Sequence, residues 1–116
     1  MKKQTKSSLT NKLDKKVSEI VRTRGECAWC HKTDGLECCH IFSRKYKTVR
    51  WDLKNVVCLC HSHHFYSHEN PVFFTEFIKE YLGEFEYNQL KIRAKSIKKW
   101  TIPELEELLE NLNALR

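Results

Sequence analysis

Leu36-Glu-Cys-Cys-His-Ile-Phe42, a basic run Ser43–Arg50, and Asn55-Val-Val-Cys-Leu-Cys-His-Ser-His-His-Phe-Tyr-Ser-His68 together decide the fold. Asp34-Gly35 is a strong turn signal ahead of it. Leu36 to Phe42 reads as a first strand, and Asn55 to Leu59, apolar and rich in valine, as a second. Residues 43–53 form the loop between them, and a helix is expected to start near Cys60 or His61. Five of the six histidines fall between His40 and His68, and Cys27-Ala-Trp-Cys30 sits just upstream. Metal-binding side chains are therefore concentrated here.

Helices are expected on both sides. Leu9, Leu13, Val17, Ile20 and Val21 recur at three- and four-residue steps, giving one apolar stripe. That helix should stop near Arg24, with Gly25 beyond it as a left-handed cap. Asn70-Pro71 marks a helix start; Phe73, Phe74, Phe77, Ile78, Tyr81 and Leu82 follow as helical pairs up to Gly83. A further helix is expected over residues 84–98. Thr101-Ile-Pro-Glu104 fits a capping box ahead of Leu105, Leu108, Leu109, Leu112 and Leu115. That leucine stripe spans only about two heptads, so it reads as core rather than a zipper. The expected class is α+β: a small strand–strand–helix centre over residues 25–71, an N-terminal helix, and a helical part over 71–116. Residues 1–8 read as a disordered basic tail and 9–116 as one domain.

With 116 residues there is room for one modest core, which a metal would help to stabilise. No apolar run approaches the length of a membrane span. The basic N-terminus lacks the apolar stretch of a secretory signal; a cytoplasmic protein with reduced thiols is expected. The net charge is +6, which favours a polyanionic partner. It is uneven: residues 1–24 hold eight Lys and Arg against Asp14 and Glu19, while 103–116 hold four Glu against Arg116. A Lys-rich segment is also what a plain solvated face looks like.

Cys27-x-x-Cys30 is half of a tetrahedral zinc site. The other half must come from Cys58, Cys60, His61, His63 or His64. Cys60-x-x-His63 has the right spacing and would give a Cys₃His site. A rival pairs Cys58 with Cys60 or His61, since side chains two apart on a strand point the same way. With Cys60 and His63 as ligands, Cys58 becomes a buried strand thiol.

Cys39-His40, Trp51-Asp-x-x-Asn55 and Cys60-x-x-His63-His64 resemble, in order and spacing, the motif of the HNH (ββα-metal) endonucleases. The likeness covers about residues 25–71 and extends to phage-type members and the NinG-type recombination nucleases. It implies a metal-dependent DNA endonuclease of low sequence specificity. His40 would be the general base, a role suited to a group titrating near neutrality. Asn55 would hold the loop and orient His40 through its amide. His64 would bind a catalytic divalent ion (Mg²⁺, Mn²⁺, Ni²⁺ or Zn²⁺), with His68, four residues on, as a second ligand. The family often has Asp or His where Cys39 stands. A thiolate suits Mg²⁺ poorly, so Cys39 is either no ligand or a sign of a softer ion. The resemblance also implies phage packaging or recombination proteins as partners and a host-cell cytoplasm as location.

Arg44, Lys45, Lys47 and Arg50 are candidates for phosphate contact, Arg44 first, because its fork can bind phosphate bidentately. Tyr46 and Trp51 read as packing. Two other functions fit parts of the chain: a non-catalytic zinc module with a degenerate site marked by Cys39, and an interaction protein using the C-terminal leucines.

Overall fold

The computed structural model describes residues 4–115. Its elements are α1 (Lys6–Arg22), β1 (Leu36–His40), a 3-10 turn (Leu53–Asn55), β2 (Val56–Cys60), α2 (His61–Glu69), α3 (Pro71–Leu82), α4 (Glu84–Lys95) and α5 (Ile102–Asn113). The α+β class holds. No described helix is long and apolar enough to cross a membrane.

β1 and β2 pair antiparallel, Leu36 opposite Cys60 and His40 opposite Val56. Alternation along each strand sends neighbouring side chains to opposite faces. One face packs on α1 and α5: Val56 and Cys58 lie with Leu9, Leu13, Val17, Val21, Leu105 and Leu112. The other packs on α3 and α4: Cys39, Val57 and Leu59 lie with Phe74, Ile78 and Tyr87. β2 is therefore buried along its whole length. Its outer margin is sealed as well. Ala28 N donates to Cys58 O at 2.8 Å, and Arg24 Nη1 donates to Val56 O at 3.0 Å. The outer margin of β1 has no backbone partner among the described residues.

Burying an aliphatic side chain is worth about 1.5–3 kcal/mol. Leu9, Leu13, Val17 and Val21 are all fully buried, so α1 is core rather than an arm. The leucine face of α5 meets it, with Leu105 and Leu112 buried against α1. This leaves no leucine face on α5 for a partner of the kind the interaction reading needs.

Several boundaries differ from expectation, each for a local reason. Helix α1 starts within the stretch expected to be disordered, because the Thr5 side chain accepts from Ser8 N at 3.0 Å and caps it; residues 1–3 lie outside the described part. β1 stops at His40 rather than Phe42. Beyond it the Asn55 side chain stands in for a strand neighbour, accepting from Phe42 N at 2.8 Å and donating to Phe42 O at 3.0 Å. Helix α4 ends at Lys95, not 98: Ser96 turns extended and its hydroxyl donates to Arg93 O. Asn70 stands at the start of α3 without a side-chain cap; its amide donates back to Tyr66 O.

Candidate metal centre and histidine cleft

The first site is a cluster of sulfur and nitrogen atoms at the start of α2. Sγ of Cys27, Cys30 and Cys60 and a ring nitrogen of His63 all lie within 4.8 Å of one another. Cys30 Sγ is 3.8 Å from Cys60 Sγ, and His63 Nδ1 is 3.3 Å from Cys60 Sγ and 3.9 Å from Cys27 Sγ. A tetrahedral ion with bonds of about 2.3 Å to sulfur requires edges of about 3.8 Å. The four residues are therefore close enough to hold a metal ion, and three thiols with one imidazole is a donor set suited to zinc. Cys58 faces the α1 core on the far side of the sheet, and His61 bonds to Glu37; neither belongs to the cluster.

The knuckle 27–30 is shaped for this. His31, with φ of +66°, reverses the chain, and Trp29 N donates to Cys27 Sγ at 3.4 Å. Burial pushes the Cys27 thiol up, but the backbone amides of Cys30, Cys60 and Trp29 outweigh it and hold the pKa below the usual value. Trp29 stacks between His63 (ring centroids 5.0 Å) and Phe77 (4.2 Å). It joins the cluster to α3.

The second site is a cleft lined by Asp14, Ser18, Cys38, His40, Ser43, Arg44, His64 and His68. It draws on α1, β1, the loop and α2. His40, His64 and His68, named from sequence, thus share one cleft. His40 Nε2 lies 3.1 Å from Arg50 O. A carbonyl only accepts, so Nε2 carries the proton and Nδ1 keeps its lone pair. Burial, opposed by the bond to the Arg50 carbonyl and aided by the charge of Arg44, holds the His40 pKa below the usual value. His64 Nδ1 lies 2.7 Å from a carboxylate oxygen of Glu37; Nδ1 therefore donates and Nε2 is left as an acceptor. Its ring centroid is 5.1 Å from that of His68.

Two expected roles are corrected here. The Asn55 side chain makes no hydrogen bond to His40. Its fully buried amide donates to Phe42 O and Val49 O, tying the two ends of the loop together, and the Arg50 carbonyl orients His40. Cys39 does not face the cleft. It is 2% exposed, lies 3.7 Å from Ser67 Oγ, and burial pushes its thiol up to about 11. Cys38, one residue earlier, lines the cleft instead.

The loop cations separate. Arg44, exposed, stands at the cleft 3.7 Å from Asp14. Arg50 is held by the same carboxylate through Nε (3.0 Å) and Nη2 (2.6 Å), so its fork is not free for phosphate. Lys45 and Lys47 point away from the cleft toward residues 94–100. Glu37 and Asp14 were missed from sequence. Glu37 bridges His61 and His64, and both histidines hold its carboxyl below the usual range. Asp14 accepts from Arg50 and Trp51 Nε1, so it fixes the residue whose carbonyl fixes His40. The signal for Glu37 was a lone carboxylate on a strand otherwise apolar or thiol-bearing; Asp14 carried none.

No family model matches the chain, and neither does any curated protein or solved structure.

Proposed function

We propose that this chain is a metal-dependent endonuclease of the HNH type, hydrolysing DNA phosphodiester bonds with little regard to sequence. The observation that carries the reading is the convergence of His40, His64 and His68 with Arg44 on one open cleft, with the free nitrogen of His40 defined by the Arg50 carbonyl. Cys27, Cys30, Cys60 and His63 would hold a structural zinc. His64, through Nε2, and His68 would hold a divalent ion in the cleft. That ion would stabilise charge on the phosphate and the leaving oxygen.

The rest is the work of the chain. His40, kept neutral by burial, takes a proton from water at Nδ1. Arg44 offers a guanidinium to a phosphate oxygen. Glu37 holds His64 in the tautomer that exposes Nε2, the arrangement by which carboxylates orient metal-ligating histidines. Cys39 faces the core while Cys38 lines the cleft; two imidazole ligands suit Ni²⁺ or Zn²⁺ better than Mg²⁺.

Plasmid nicking with Mg²⁺, Mn²⁺, Ni²⁺ or EDTA tests the reading. Wild type should cut with metal and not with EDTA. His40→Ala should lose about 10²–10⁴-fold in rate while keeping its zinc and fold. Equal cutting by the variant would remove His40 from the mechanism.

A further inference from the structure

Two adjoining grooves lie on the surface away from the histidine cleft. One is lined by Lys6, Lys47, Lys98, Lys99 and Trp100 with the first turns of α1. The other is lined by Lys45, Tyr46, Lys47, Lys95 and Lys98. Lys47 and Lys98 belong to both, so the two form one continuous band. No Asp or Glu lines either groove.

Local structure explains the gathering. Because α4 stops at Lys95, residues 96–101 run as a non-helical linker. The loop 43–50 is clamped onto that linker: Thr48 Oγ1 donates to Ser96 O at 2.9 Å, and Trp100 Nε1 donates to Lys47 O at 3.0 Å. Lysines from three separate segments are thereby held side by side. Lys98 is neutralised by Glu104. Lys6, Lys45, Lys47, Lys95 and Lys99 have no acidic partner within 4 Å among the described residues. Solvated lysines usually sit among acids of opposite sign; five unpaired ones around a continuous groove repel one another and raise the local potential.

We propose that this band is a docking track for the phosphate backbone of duplex DNA, distinct from the cleft and joined to it by Arg44-Lys45. It rests on the nuclease reading for its choice of polyanion. A duplex carries one charge per about 1.7 Å of its axis, so a backbone entering at Arg44 would meet the band as a row of phosphates. Cations spaced along a groove suit such a row better than they suit a single small anion. The loop 43–50 then serves both sites, with Arg44 at the reacting diester and Lys45 and Lys47 at the flanking backbone.

The test is fluorescence anisotropy with a 30-bp DNA duplex over 50–200 mM salt, in a His40→Ala background so that nothing is cut. Replacing Lys6, Lys95 and Lys99 together by Gln should weaken binding roughly tenfold or more. It should also make the slope of log K against log salt shallower by about 3. All three side chains are exposed; zinc content and the melting curve check the fold. Unchanged affinity and slope in the triple variant would overturn the band, as would tighter binding of anionic lipid vesicles than of duplex at equal salt. Hydrolysis of bis(p-nitrophenyl) phosphate by wild type, a diester too small to reach the band, reads the cleft alone. Loss of duplex binding in the triple variant beside an inert cleft would keep the track and remove the nuclease.

Discussion

In the proposed mechanism His40 is the base, and its surroundings set a sign. Burial lowers its pKa from 6.5, so it stays neutral to lower pH than a free histidine. A general base works only while unprotonated. Cleavage at saturating metal should therefore have its acid midpoint below pH 6.5. A rate profile with its acid midpoint at or above 6.5 would contradict the assignment. That His40 shares a cleft with His64 and His68 was legible from the order of motif residues, because order survives folding. The orientation of His40 was not, because the Arg50 carbonyl that holds it is a backbone group that any residue could supply. Of the two readings left open for Cys39, its burial favours no ligand, and the means to choose were in the sequence. Alternation puts residues 38 and 40 on one face and 39 on the other, so a ligand beside His40 had to be Cys38 or none.

Among the elements, those with strong local chemistry were legible and those without it were not. The Thr101 capping box forms as read: its side chain accepts from Glu104 N, and Glu104 accepts from Thr101 N at 3.0 Å. Thr101→Ala should cost about 1 kcal/mol and lower the melting temperature by about 4 °C. A thermal melt checks this, and an unchanged midpoint would show that packing against α1 alone holds α5 in place. The α4 end was misjudged because Ile97 extends the apolar count but is 92% exposed. A stripe residue with nothing to cover it does not prolong a helix. The loop 43–53 was read as a basic connection whose four cations are candidates for phosphate contact. Asn55, Asp14 and Trp100 divide it instead, and two of those anchors lie far from it in sequence, where spacing arguments do not reach.

In the whole molecule the cysteine cluster ties together segments distant in sequence. It links the knuckle 27–30 to the end of β2 and the first turn of α2, and through Trp29 to α3. Metal binding and folding are coupled in sites of this kind. Cys27→Ser should release the ion and abolish the cooperative melt, read by a colorimetric zinc assay and by calorimetry. A variant that melts at the wild-type temperature would show that the ion is not structural. The excess of Lys and Arg over residues 1–24 was legible from composition; the groove that brings Lys6 beside Lys47 and Lys99 was not, because it joins segments far apart in sequence.

The hairpin has one margin closed by Arg24 and Ala28 and one left bare along β1. A third strand, from a second copy or a peptide, has only that bare side to join. Doing so would lay a backbone alongside β1, which ends at His40. Self-association through the sheet would therefore use the one strand that also carries His40 and Cys38 into the cleft.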